Sequence, residues 1–326
     1  MRLLSRRWWL AVPLLALVYA AGTVPLPYYS LGPGPARAVE PLIRFEERDR
    51  FESSGTFVLT SVAFRQLTPL GMIRAWLDRD LDVVGRDVLY PDGQSEQQER
   101  QRSISQMDQS KIDAAYVVLE ELVGYPERHG EGVLIEGVVP GCAAEGELFV
   151  GDVIEAIDGT AVSDVRDARR ALEEIGPRER IRFDLDVDGE AETVTLVRGP
   201  CADGDEPLIG VSMIEAFPFE VTIASGGIGG PSAGLAWALG LYDLMTPGDL
   251  TSGATIAVTG ALGADGTVYP IGGVEEKVAA AASAGAEVLV VPRDNLAEAR
   301  TADTGDVRLI AVGSFDDAID RLTAVA

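Results

Sequence analysis

Between Ser225 and Gly234 the chain reads Ser-Gly-Gly-Ile-Gly-Gly-Pro-Ser-Ala-Gly, and no other segment narrows the choice of fold as far. It follows a β-prone stretch, Phe219–Ala224, and precedes an apolar run, Leu235–Leu244, with the length of a helix. Glycine permits positive φ and close backbone approach, and Pro231 suits the first position of the helix. The pattern therefore predicts strand, tight loop and helix, with backbone N–H groups converging at a helix N-terminus that favours negative charge. Both a phosphate and a developing oxyanion fit such a loop. Ser232 accordingly reads as a helix cap, as part of a phosphate cradle, or as a nucleophile. No lysine or arginine occurs between Cys201 and Leu250, which weighs against the phosphate.

Composition sharpens the choice. Lys111 and Lys277 are the only lysines, against 25 arginines, and His129 is the single histidine of the 326 residues. Arginine does not release its proton in a protein whereas lysine can, so the two lysines stand out for chemistry that needs a neutral amine. Lys111 opens a helical stripe, Ser110–Val123, with Ile112, Ala115, Tyr116, Leu119 and Leu122 on one face, and reads as a surface cation. Lys277 falls in the first turn of an Ala-rich helix from Val274 to about Ala284, flanked by Val274 and Val278. Burial and the helix dipole both lower its pKa there, while Glu275 and Glu276 oppose them. His129 sits in a polar loop, Pro126–Gly130, and reads as solvated. A hydrolase without a usable histidine needs another base, and a Ser-Lys pair supplies one, which joins Ser232 to Lys277. One histidine and two cysteines exclude multi-histidine and four-cysteine metal sites, so no metal or cofactor is expected. A net charge of −25 excludes nucleic acid as a partner.

Two resemblances follow from particular motifs. From Val138 to Gly159 the chain carries Val-x-Pro-Gly-x-Ala and then Leu-x-x-Gly-Asp-x-Ile-x-x-Ile-Asp-Gly. The segment of residues 125–200 around it resembles a PDZ domain of the bacterial protease type, a small β-sandwich with helices. That resemblance implies capture of an extended peptide or C-terminus by strand addition, with the backbone of Gly132, Val133 and Leu134 receiving the carboxylate. Further on, Gly-Pro-Ser-Ala-Gly (Gly230–Gly234), Thr259-Gly260 and Gly-x-Val-x-Pro-Ile-Gly-Gly-Val-x-Glu-Lys (Gly266–Lys277) resemble the proteolytic domain of Lon peptidases, over residues 205–326. This implies an α/β domain of the ribosomal S5 domain 2-like kind with Ser232 as nucleophile and Lys277 as general base. It also implies Thr259 as partner of the lysine amine and the N–H groups of Ser232 and Ala233 as the oxyanion hole. Gly229 and Ala261 depart from the acidic residues that Lon peptidases usually carry there. No Gly-x-x-x-x-Gly-Lys-Ser/Thr loop is present, so proteolysis without ATP is expected. Lon-type domains form rings, which implies a homo-oligomer.

At the N-terminus, Arg2, Arg6 and Arg7 precede 17 uncharged residues, Trp8–Val24, and the next charge is Arg37. Such a run is at the lower limit for spanning a bilayer, and the flanking arginines predict a cytoplasmic N-terminus. A retained signal anchor, with Trp8, Trp9 and Tyr19 at the interfaces, competes with a signal peptide cleaved near Val18–Ala20. Either reading puts the body of the chain outside the plasma membrane. Cys142 and Cys201 are then two unrelated buried thiols or a disulfide. The expected layout is an α+β multidomain chain. Residues 1–36 form a transmembrane anchor and its Pro-rich exit, 37–124 an N-terminal extracytoplasmic region without a chemical motif, 125–200 the PDZ domain and 201–326 the Lon-type domain. As a whole it resembles the membrane-anchored Lon-like proteases. The function this implies is ATP-independent serine endopeptidase action on extracytoplasmic or membrane-associated protein or peptide substrates that the PDZ domain selects. The alternative is a catalytically silent peptide-binding scaffold at the membrane.

Overall fold

A computed structural model describes residues 8–78, 81–90, 95–176, 179–187, 189–202, 204 and 207–324. The N-terminal part runs α1 (Trp8–Thr23), β1 (Tyr28–Pro33), β2 (Arg37–Ala38), β3 (Ile43–Phe45), β4 (Thr56–Leu59), β5 (Val62–Gln66), α2 (Pro69–Leu77), β6 (Asp82–Gly85), α3 (Arg86–Leu89) and α4 (Glu96–Val123). The middle part holds β7 (Val133–Val138), β8 (Val153–Ile157), β9 (Thr160–Ala161), α5 (Val165–Glu173), β10 (Arg180–Val187), β11 (Glu190–Val197), β12 (Gly199–Pro200), β13 (Pro207–Leu208) and β14 (Val211–Glu215). The remainder comprises β15 (Val221–Ile223), α6 (Gly234–Met245), β16 (Thr255–Val258), β17 (Ala261–Leu262), β18 (Val268–Tyr269), α7 (Val274–Ser283), β19 (Val288–Pro292), α8 (Leu296–Ala299), β20 (Arg308–Val312) and α9 (Phe315–Thr323).

One sheet has the order β2-β4-β16-β19-β20, with β4, β16, β19 and β20 parallel and β2 antiparallel at the edge. Every residue of β19 is buried, as a parallel strand covered on both faces requires. On one face Phe57, Leu59, Ile256, Val258 and Val290 pack with Trp237 and Leu239 of α6 and Ala114 and Val118 of α4. On the other, Val58, Ala257, Leu289 and Val291 pack under Val274, Val278 and Ala281 of α7. Residues 37–124, expected as a separate region, therefore supply strands β2 and β4 and helix α4 to the same core as residues 216–324. The polar stretch before Ser110 is also helical. A capping box between Ser95 and Gln98 starts α4 at Glu96, and Met107 is buried against the indole of Trp237.

Inserted in this unit is an antiparallel sheet of order β11-β10-β8-β7-β14, with β9 paired to β8. Along β10 the buried residues Ile181, Phe183 and Leu185 alternate with more exposed ones and close on Val133, Ile135, Ile154 and Ile157 with Ala168 of α5. The side chain of Asp164 caps α5. The expected boundary at residue 200 cuts this unit short, because β14 pairs along β7 from Val211↔Val138 to Glu215↔Val133. Cys142 and Cys201 form a disulfide within it.

Among the described residues no helix is long and apolar enough to cross a membrane. Helix α1 has 16 residues and Pro13 in its interior. At about 1.5 Å of rise per residue it falls short of a hydrocarbon core about 30 Å thick. Met1–Arg7, which hold the predicted cytoplasmic arginines, lie outside the described residues. Val12, Leu14, Leu15, Leu17 and Val18 are all exposed, and α1 packs beside α2.

Candidate active site

The glycine-rich loop crosses from β15 to α6 over the end of the parallel sheet and enters the helix through a 3-10 turn, Pro231–Ala233. Gly226, Gly227 and Gly230 have φ of 60°, 84° and 86°, which explains the density of glycine. Helix α4 clamps the loop from behind. The N–H of Gly230 donates to the carbonyl of Ser103 (2.8 Å), and the hydroxyl of Ser110 donates to the carbonyl of Pro231 (3.1 Å). Sequence reasoning missed both serines, since helix α4 meets the loop only through tertiary packing. Arg37 reaches the carbonyl of Gly226 at 3.5 Å, so the fold brings to this loop a cation that its own sequence lacks.

Ser232 is half-buried, and its hydroxyl caps neither the 3-10 turn nor α6. Its carbonyl is fixed from the other side by the N–H of Gly260 (2.9 Å) and the hydroxyl of Thr259 (3.3 Å). Thr259 is 1% exposed and follows β16 directly, with its own N–H bonded to Val290. The Thr259 hydroxyl, predicted as a partner of the lysine amine, donates to the Ser232 carbonyl, which leaves its oxygen able to accept as well.

Lys277 is 4% exposed in the first full turn of α7, and its backbone N–H donates to the carbonyl of Gly273 (3.1 Å). It lies on the buried side of the helix with Val274, Val278 and Ala281, over β4 and β16. Burial pushes the ammonium down to about 8, against a smaller upward pull from Glu276. Glu275, the other acid of concern, is exposed and accepts from the Thr301 hydroxyl (3.1 Å). Ser232 and Thr259 therefore meet at the C-terminal end of β16, and Lys277 is buried in the first turn of the helix that covers β4 and β16. No hydrogen bond joins the Ser232 hydroxyl to the Lys277 amine in this structure. His129 remains in an exposed loop with Nδ1 at 2.7 Å from the Gly130 carbonyl. Lys111 pairs with Asp108 at 2.7 Å.

Residues 210–322 match the C-terminal proteolytic domain of Lon proteases (S16), and residues 134–186 match a PDZ domain. The C-terminal unit is a Lon-type serine-peptidase domain. Lon protease 2 of Bacillus subtilis (strain 168) is 35% identical over 95 residues, which are 29% of this chain and 17% of that protein. The Lon protease of Desulfosudis oleivorans is 32% identical over 177 residues, 53% of this chain and 20% of that protein. The chain thus spans a fifth or less of the length of these two relatives. The PDZ domain of an SdrC-like protein from Listeria innocua aligns with 20% identity and a TM-score of 0.23, covering 26% of this chain and 93% of that domain.

In the PDZ unit the predicted peptide-binding residues are corrected by the pairing. Val133 and Leu134 face Ile154 and Val153 on one side and Glu215 and Ile214 on the other, so β7 is an interior strand with no edge to offer. Gly132 sits under the Ile154 carbonyl and accepts from the N–H of Ala216 (3.4 Å). Sheet order leaves β14 and β11 as the edges. Of these, β14 packs beside α5, with the N–H of Val165 donating to Glu215 (3.0 Å), and follows Gly210 at φ 85°. Between the two units runs a groove of about 720 Å³, walled by Phe149 and Val153 on one side and by Lys111, Phe217 and Val221 on the other.

Proposed function

We propose that the chain is a serine endopeptidase that works without ATP outside the plasma membrane, with Ser232 as nucleophile and Lys277 as base. One observation carries the reading. The lysine of a Lon-type domain is buried in the first turn of α7, and desolvation brings its pKa down to about 8. Neutral Lys277 accepts the proton of the Ser232 hydroxyl as Oγ attacks the peptide carbonyl. The protonated amine then passes that proton to the leaving nitrogen as the acyl-enzyme forms. Water repeats the cycle in deacylation, giving up its proton to Lys277 and releasing the new carboxylate with Ser232 restored. The backbone N–H groups of Ser232 and Ala233 are assigned to the oxyanion.

The PDZ unit positions substrate by strand addition at β14, where the sheet has a free edge, rather than at β7. A disulfide in that unit supports an oxidising compartment, and the apolar, exposed α1 supports attachment to the membrane. The sequence contains no nucleotide-binding loop, which supports turnover without ATP. Ring assembly belongs to the same proposal and is read by light scattering. The test is cleavage of casein by the purified protein with and without ATP, beside Ser232→Ala. Equal rates with ATP and loss of cleavage in the variant are expected. Undiminished cleavage by Ser232→Ala overturns the assignment, and tight peptide binding without any cleavage by the parent protein leaves a scaffold.

A further inference from the structure

Thr60 is 4% exposed, and its hydroxyl has no hydrogen-bond partner among the described residues. A buried hydroxyl left unpaired is destabilising by roughly 1–3 kcal/mol, so its retention asks for a reason. Its place in the sheet supplies one. Strand β4 runs parallel to β16 with Leu59 beside Val258, so the next residues, Thr60 and Thr259, stand side by side. Side chains alternate along a strand. Leu59 and Val258 belong to the cluster under α6, while Val58 and Ala257 belong to the cluster under α7. Alternation therefore turns Thr60 and Thr259 toward the α7 face, which carries Lys277. Two residues on, Val62 touches the start of α7, where a Cβ built on Gly273 would come within 2.6 Å of it. Lys277 lies one turn beyond Gly273.

We propose that Thr60 is a positioning residue for Lys277, its hydroxyl oxygen taking one N–H of the amine while the Thr259 oxygen takes another. This rests on the Ser-Lys reading above. A neutral amine has two N–H groups and one lone pair, so two fixed acceptors leave the lone pair a single direction, toward Ser232. Strands β4 and β16 bring no charged side chain to the amine. Strand β1 contributes Tyr28 and Tyr29, and α8 contributes Glu298, bonded to Asn295. Glu276 is the charge that acts on Lys277.

Thr60→Val keeps the shape and removes the acceptor, whereas Thr60→Ser keeps the acceptor. Casein cleavage by Thr60→Val should fall about tenfold or more, because a catalytic group held loosely loses rate on that order. Its acid limb in kcat/KM should move to lower pH, since an acceptor favours the charged amine. Thr60→Ser should stay within about threefold of the parent and keep the parent's acid limb, since it retains the acceptor. Parent-like rate and acid limb in Thr60→Val, or a lowered midpoint with the acid limb unmoved, overturn the proposal. Thr60→Ala carries the same readouts should Thr60→Val fail to fold. With Ser232→Ala in parallel, an inactive Ser232→Ala beside a parent-like Thr60→Val refutes only the role of Thr60. An active Ser232→Ala refutes the dyad, and this role with it.

Discussion

The two sheets solve opposite problems. The parallel sheet of the Lon-type domain is covered on both faces, and its chemistry depends on what lies beneath the covering helix. Lys277, Thr259 and Thr60 are each no more than 4% exposed, where a charge is hard to keep and a hydroxyl counts for more than in water. The antiparallel PDZ sheet is covered on one face and ends at β14, so its chemistry is an unfilled row of backbone groups. Burial tunes a side chain in the first unit, and an edge exposes the main chain in the second. Substitutions that disable one unit should therefore leave the other intact.

The largest effect expected is at the dyad. Ser232→Ala and Lys277→Arg should each lower kcat/KM for casein by about 10³-fold or more, because arginine keeps the charge and cannot act as base. Peptide binding by the PDZ unit, read by calorimetry, should be unchanged in both, and a parallel loss would break the separation of the units.

Next comes the pH dependence. Activity should rise with pH through about 8 as Lys277 loses its proton. Stability carries the same signature. The folded pKa of about 8 lies below the ordinary 10.5, so the unfolded chain binds the proton more tightly. The penalty for the buried charge is full below pH 8 and vanishes above pH 10.5. The parent protein should therefore gain stability relative to Lys277→Met as pH rises through that window, read by denaturant unfolding at each pH. A constant difference would place the ammonium in water.

Opening the Cys142–Cys201 bond by a double Ser substitution should destabilise the PDZ unit by about 2–4 kcal/mol while cleavage of a short peptide stays within about twofold. Equal destabilisation of both units would show that they melt as one. The smallest signal is the most local. A bound C-terminal peptide should protect amides of Val211–Glu215 from hydrogen exchange and leave those of Val133 and Leu134 as they were. Protection confined to β7 would restore the sequence-based site.

Much of this is legible in the chain order. The glycine loop, the helix behind it and the buried turn around Lys277 follow from local pattern, since positive φ, apolar periodicity and lysine scarcity are properties of neighbouring residues. The PDZ and Lon-type motifs are equally local. Thr60 stands out only in the fold, because nothing in Leu59-Thr60-Ser61 marks a hydroxyl that is buried without a partner. The motif points to Gly132, Val133 and Leu134 rather than to β14 because β14 follows β7 by more than 70 residues, and which strand is outermost depends on pairing.

Composition and short motifs by themselves singled out the side chains suited to such chemistry: a serine behind glycines, a lysine in an apolar turn, and a single histidine left in a polar loop. Tertiary structure alone decided that β2, β4 and α4 from residues 37–124 belong to the sheet and core of the Lon-type unit, that α4 clamps the loop, and that β14 lies at the edge. The physical reason is range. Backbone conformation and helix periodicity are set within a few residues, whereas burial, strand order and the pKa of an amine depend on groups that the fold brings together from far apart in the chain.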